Sequence, residues 1–178
     1  MKDITLHNKK FEVFIAETEI AAIVHSIANN INNTRIKNPL FISVLNGSFM
    51  FSSDIMKKIT LPKTEISFIK LSSYLGKETT GEVNKLIGIS GDISGRNIII
   101  LEDIIDTGIT LEKIISLLKK EKVGDIKVAT LLFKPEAYTK DLNIDFIGKS
   151  IANDFVVGYG LDYDEFGRNL PHIYKLKE

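Results

Sequence analysis

The sequence predicts an α/β fold built on a central, mostly parallel twisted sheet flanked by helices. The apolar runs Leu40–Leu45, Ile98–Leu101 and Ile126–Phe133 lack the alternation of a half-exposed strand, stretches of helical periodicity separate them, and turn residues follow the first two. Strands that are apolar on both faces need cover on both faces, and crossover helices supply it.

From the amino end, Ile20, Ala21, Ile23, Val24, Ile27, Ala28 and Ile31 recur on one helical face, so a helix of about four turns is expected there, with Thr18 as its N-cap. After Asn38-Pro39, the run Leu40–Leu45 reads as a buried strand stopped by Asn46-Gly47, and a second helix is expected over 49–59. Glu65 to Leu71 alternates as a half-buried strand does. Residues 72–84 then lose all periodicity among Gly, Ser, Thr and charged residues, as a lid, a binding loop or a plain connection would. Ile98–Leu101 is the next strand, and Ile109, Leu111, Ile114, Ile115, Leu117 and Leu118 make a helix face behind it. Ile126–Phe133 follows as a strand. From Ile144 onward come short β-like pieces, notably Phe155–Tyr159, expected in a small lobe over the sheet.

Composition narrows the function. The 178 residues carry 23 Lys plus Arg against 23 Asp plus Glu, so the chain lacks the basic excess that holds nucleic acid. No cysteine is present, which removes disulfides, thiolate metal sites and thiol catalysis. Met1 to Lys10 lacks the apolar core of a signal peptide, and no run approaches the roughly 20 apolar residues that span a bilayer, so the cytoplasm is expected and a membrane is not. Neither a P-loop nor a Gly-x-Gly-x-x-Gly turn follows any predicted strand, which weakens nucleoside triphosphate and dinucleotide readings.

The chemistry concentrates between Ile98 and Leu111, where Glu102, Asp103 and Asp106 and a Thr107-Gly108-Ile109-Thr110 turn stand between a buried strand and a helix. Helix capping accounts for one acid and poorly for three. Backbone N–H groups of Thr107 to Thr110, with the two threonine hydroxyls, form a cradle for a phosphate. Carboxylates beside such a cradle repel a bare polyphosphate but accept hydrogen bonds from the vicinal hydroxyls of a ribose. A ribose phosphate suits both halves.

Leu101 to Leu111 closely resembles the phosphoribosyl pyrophosphate motif of type I phosphoribosyltransferases, two acids followed by Asp-Thr-Gly-x-Thr. Leu45 to Phe49, Ser72-Ser73-Tyr74, Lys134, and Phe155 to Tyr163 with Arg168 beyond resemble the hypoxanthine-guanine branch in the same order, nearly spanning the chain. The resemblance implies one phosphoribosyltransferase domain over residues 1–178, with a small hood from the N-terminal segment and the C-terminal tail. It implies transfer of the 5-phosphoribosyl group of phosphoribosyl pyrophosphate to N9 of a 6-oxopurine, with Mg²⁺ as cofactor and a homodimer or homotetramer as the assembly.

Residue by residue, the resemblance places Glu102 and Asp103 at the ribose hydroxyls, Thr107, Gly108, Ile109 and Thr110 at the 5-phosphate, and Asp106 at the purine N7 as general acid or base. It places Lys134 at O6, although a lysine at a strand end is ordinarily just exposed. Phe155 stacks on the base and Val156 meets its edge. Asn46, Gly47 and Arg168 approach the pyrophosphate, Ser73 and Tyr74 belong to a closing loop, and Asp162 lies near the base and, with Glu102 and Asp103, near the metal. Two departures stand out. Asn46 occupies a turn, often cis in the family, where many members carry lysine, which leaves binding there to the N–H groups of Gly47 and Ser48. Gly167 replaces a common aromatic and is expected to loosen the tail. Rival readings are a phosphoribosyl-pyrophosphate-sensing transcriptional regulator, which the missing basic surface disfavours, and a transferase of the same fold for xanthine or uracil.

Overall fold

The computed structural model describes residues 2–71, 85–89 and 91–177, with backbone alone at 85–87. In chain order the elements are β1 (Ile4–Leu6), β2 (Lys9–Ile15), α1 (Glu17–Asn33), β3 (Leu40–Val44), α2 (Phe49–Met56), β4 (Glu65–Leu71), β5 (Lys85–Ile87), β6 (Ile98–Ile105), α3 (Ile109–Lys120), β7 (Ile126–Phe133), β8 (Phe146–Ser150), β9 (Val156–Val157) and β10 (Ile173–Leu176).

The main sheet has the order β5-β4-β3-β6-β7-β8. Its pairs from β4 to β8 are all parallel, and β5 runs antiparallel along the β4 edge. The expected α/β sheet is therefore present, and β8, which the sequence had left in the C-terminal lobe, completes it. Alternation along β6 explains why that strand reads as apolar throughout. Ile98 and Ile100 pack with Leu111, Ile114 and Leu118 of α3, while Ile99 and Leu101 join the cluster formed with α1 and α2.

A second, antiparallel sheet has the order β1-β2-β10-β9 and brings the two ends of the chain together. Phe11 of β2, Val157 of β9 and Tyr174 of β10 form its buried centre. Two helix boundaries differ from the sequence reading. Helix α1 begins at Glu17 after Ala16, so Thr18 lies inside it. The Glu17 N–H is instead taken by His172 Nδ1 at 2.9 Å, a tertiary cap supplied from 155 positions away. Helix α2 stops at Met56, short of the expected 59.

The position of the site follows from strand order. The chain runs from β3 outward to β4 and then returns to β6 on the other side of β3, which makes the space between the carboxyl ends of β3 and β6 the topological switch point. The turn at 45–48 and the turn at 106–108 lie at that point.

Candidate active site

Strand β6 carries its acids to the edge of this crevice. Glu102 is only 5% exposed, and burial pushes its carboxyl well above the ordinary carboxylate range, with the charge of Asp103 adding to the rise. Asp103 is pushed up to about 6, chiefly by burial. Backbone hydrogen bonds at Asp103 and Ile104 and the Arg168 charge pull the other way, and Asp162 adds repulsion. Both rises come first from burial, which disfavours the charged form.

Beyond the acids the chain turns through Gly108 at φ 79° into α3, whose N-terminus has no side-chain cap. A glycine is needed here twice over, for the left-handed backbone and because a Cβ would strike the ring of Tyr138. The Thr107 carbonyl accepts hydrogen bonds from the Thr139 N–H at 3.3 Å and the Thr139 hydroxyl at 3.2 Å, which fixes the turn from behind. A cavity of about 210 Å³ opens in front, lined by Glu102, Asp106, Thr107, Gly108, Ile109 and Thr110 among others. The Ile109 N–H reaches the Thr107 hydroxyl at 3.4 Å, and the other N–H groups of the turn, the threonine hydroxyls and the positive end of a helix dipole suit it to a phosphate monoester.

Asp106 and Lys134 leave neighbouring strands side by side, because Ile105 pairs with Phe133 and the Lys134 N–H donates to the Ile105 carbonyl at 3.0 Å. Their side chains meet at 2.9 Å, with Lys134 only 8% and Asp106 48% exposed. The bland expectation of an exposed strand-end lysine is thus incorrect. Its stem is buried and its ammonium is delivered to the edge of the crevice beside a carboxylate.

The opposite wall is the turn after β3. Its Leu45–Asn46 peptide bond is cis. A Cβ on Gly47 would collide with the Asp103 carboxylate, and a Cβ on Gly160 would collide with the Gly47 carbonyl, so three segments distant in sequence stack without room for a methyl group. The Ser48 N–H is engaged by the Val44 carbonyl at 3.3 Å, contrary to the expectation that it binds ligand, while among the described residues nothing engages the Gly47 N–H.

The C-terminal segment places the remaining residues. Phe155 is 43% exposed, in edge contact with Tyr163 at 5.6 Å, and the Lys9 ammonium lies 5.7 Å from its ring centre and 4.9 Å from that of Tyr163. Val156 is buried at the start of β9. Arg168 bonds to Asp162 at 2.8 Å, Glu165 at 3.1 Å and the Gly160 carbonyl at 3.0 Å, leaving its buried Nε without a partner. Gly167 does not loosen the tail. It sits buried at φ 93° under Leu6, and Phe166 beside it packs edge-on against His7 at 4.6 Å. Ser73 and Tyr74 lie outside the described residues.

For a metal, the residues offer oxygen donors alone. Asp162 is committed, Oδ1 to Arg168 and Oδ2 to the Glu165 N–H at 2.8 Å. Among the described residues no group of three or more His, Cys, Asp or Glu side chains is arranged to hold an ion, so the expected trio with Asp162 does not form. Glu102 and Asp103 fit Mg²⁺ nonetheless, since that ion is commonly held by one or two carboxylates together with water and substrate phosphate.

The sequence reading missed Tyr138, Gly160 and the Tyr159–Asp54 bond, in which the tyrosine hydroxyl donates at 2.7 Å to a carboxylate on α2. A glycine two positions from another in Gly158-Tyr159-Gly160 was the available signal for close approach.

Comparison with known proteins gives consistent findings. The phosphoribosyl transferase domain model matches residues 15–164. The chain is 40% identical to a hypoxanthine-guanine phosphoribosyltransferase of Staphylococcus aureus over 174 residues, 97% of each chain. It superposes on a crystal structure of a Staphylococcus aureus hypoxanthine phosphoribosyltransferase with a TM-score of 0.86 at 39% identity, covering 93% of this chain and 91% of that one. A Bacillus anthracis hypoxanthine-guanine phosphoribosyltransferase with HEPES in its active site gives 0.84 at 37% identity, covering 94% and 97%.

Proposed function

The chain belongs to the phosphoribosyltransferase family, and from that membership we propose that it is a hypoxanthine-guanine phosphoribosyltransferase of purine salvage. It joins the 5-phosphoribosyl group of phosphoribosyl pyrophosphate to N9 of a 6-oxopurine, giving inosine or guanosine monophosphate and pyrophosphate.

The observation that carries the choice of base is the Lys134–Asp106 pair, a buried ammonium and a half-exposed carboxylate 2.9 Å apart at the crevice. A 6-oxopurine presents the O6 acceptor next to N7 on one edge. Lys134 donates to O6 while Asp106 faces N7, and the two side chains exchange their mutual contact for the base. Adenine turns an amino donor toward the lysine, so two donors face each other there.

In the reaction, Glu102 and Asp103 hold the ribose hydroxyls and the Thr107–Thr110 turn holds the 5-phosphate, fixing C1 of the ribose against the base. Asp106 takes the proton from N7 as N9 bonds to C1 and the bond from C1 to pyrophosphate breaks, a contribution of about 10² to 10⁴ in rate. The Gly47 N–H and Arg168 face the pyrophosphate, Phe155 and Val156 flank the base, and Ser73 and Tyr74 close over the site. Glu102 and Asp103 would hold Mg²⁺, which would supply positive charge to the leaving group. Assembly as a dimer or tetramer fits the exposed Ile66 and Phe68 on β4 and Phe49 on α2, and the cytoplasm is the compartment proposed.

The test is incubation with phosphoribosyl pyrophosphate, Mg²⁺ and each of hypoxanthine, guanine, xanthine, adenine and uracil, with chromatography of the products. Inosine or guanosine monophosphate is expected. Turnover confined to xanthine or uracil, or none with any base, would refute the assignment.

A further inference from the structure

Three serines lie beneath the turn after β3. Ser43, in a strand otherwise composed of apolar residues, and Ser48 are fully buried, and Ser52 is 1% exposed. Their hydroxyls form a chain: Ser52 to Ser43 at 2.8 Å, Ser43 to Ser48 at 2.8 Å, and Ser48 to the Val44 carbonyl at 2.6 Å.

Proton count sets its direction. A hydroxyl has one hydrogen and the Val44 carbonyl has none, so Ser48 must donate to Val44, Ser43 to Ser48, and Ser52 to Ser43. Ser48 also stands at the N-cap of α2, where a serine oxygen ordinarily accepts an N–H of the first helical turn, yet it makes no such bond. The hydroxyl is aimed backward at the strand, and the helix start is left uncapped. Such a bonding choice forgoes a local gain, and its effect is to hold the carbonyl just before Leu45-Asn46-Gly47.

We infer that Ser43, Ser48 and Ser52 are positioning residues that hold the Gly47 N–H at the pyrophosphate, in a turn where Asn46 brings no charge. The inference rests on the proposed function. The turn is also held by Gly160 against the Gly47 carbonyl, and Tyr159 beside Gly160 bonds to Asp54 of α2, the helix that also carries Ser52. The serine chain and the arch are thus both tied to one helix.

The design of the chain predicts graded effects. Ser52→Ala removes its outer end and leaves two bonds, Ser43→Ala breaks it in the middle, and Ser48→Ala removes the 2.6 Å bond to the Val44 carbonyl and leaves it only the backbone N–H at 3.3 Å. The KM for phosphoribosyl pyrophosphate and the Kd for pyrophosphate with Mg²⁺ by calorimetry should rise in that order, by about threefold to about tenfold at Ser48. The KM for hypoxanthine and kcat should change less than twofold, on the order expected for a group outside the base site. Hydrogen exchange of the amides at 45–48, measured on the protein alone, should quicken in the same order.

Equal effects of the three substitutions, or losses confined to Tm, mean that the serines merely pack, and overturn the inference. Graded exchange with no pyrophosphate binding by the wild-type protein overturns it by a different route, since the clamp would exist but the proposed function would fail.

Discussion

The segment from Ile98 to Thr110 and the arch from Phe155 to Arg168 face the same crevice but are built by different means. The first is local. A strand buried except at Asp103 and Ile104 carries Glu102 and Asp103 to the crevice, one glycine turns the chain, and the next helix presents its N-terminus. The second is assembled from afar. Tyr159 is fastened to Asp54, 105 positions earlier, Gly160 rests on Gly47, and Gly167 is covered by Leu6 from the opposite end of the chain. Closely spaced acids and the turn beside them lie in contiguous sequence, whereas the arch takes its position from contacts with distant segments, including the opposite end of the chain.

If that division holds, substitutions in the two regions fail differently. The largest effect is expected for Asp106→Asn, which should lower kcat by about 10² to 10⁴ while Tm and the KM for phosphoribosyl pyrophosphate stay near wild type. Steady-state kinetics with hypoxanthine read it, and undiminished turnover would remove Asp106 from the proton transfer. Lys134→Met comes next. The methionine fills the buried stem but donates nothing to O6, so kcat/KM for hypoxanthine should fall by about 10 to 10², with adenine far less affected. Equal losses for both bases would mean that Lys134 only supports the fold.

Gly160→Ala tests the docked region. A Cβ there meets both a left-handed φ of 101° and the Gly47 carbonyl, whereas Gly95, at φ 70°, has open space around it. Gly160→Ala should therefore cost about 1 to 3 kcal/mol and raise the KM values for both substrates. Gly95→Ala should cost only the backbone part, about 1 kcal/mol, with kinetics intact. Matched denaturant titrations compare them, and equal costs would show that the contact of the arch with the turn is slack.

The same contrast explains what the sequence made legible. The β6–α3 motif could be read because spacing along a strand, a turn and a helix start determines which groups converge, and the α/β class followed from apolar runs separated by helical periodicity. Lys134 could not be judged by its residue type, since its burial comes from the pairing of β7 with β6. The β-like signal after Ile144 does not tell the main sheet from the lobe, because the five residues of β8 are partly buried or exposed at the sheet edge. The cap on α1 was missed because His172 supplies it through the fold, and the grip of Arg168 on Asp162 because carboxylate and guanidinium meet only when the arch closes.

The smallest predicted effect concerns the link from that arch to α2. Burial works against ionisation of Asp54, but the hydrogen bonds from Tyr159 and Lys57 and the charges of Lys57 and Lys58 outweigh it and hold the carboxyl below its ordinary 3.8. Burial raises the Tyr159 hydroxyl and the bond to Asp54 raises it further, so the tyrosine stays neutral throughout the working range. A carboxylate whose pKa is lowered by folding stabilises the fold above its unfolded value and loses that contribution as pH falls through the folded one. Tyr159→Phe should therefore cost at most about 1 kcal/mol at pH 7, reduced because Asp54 is partly open to water. The difference from wild type should shrink as pH drops below the ordinary carboxylate value. Urea titrations of both proteins from neutral pH to the edge of acid unfolding measure it. A difference that persists undiminished in acid would assign the stabilisation to packing of the ring, and the arch would then be held by shape rather than by its bond to the helix beneath the turn.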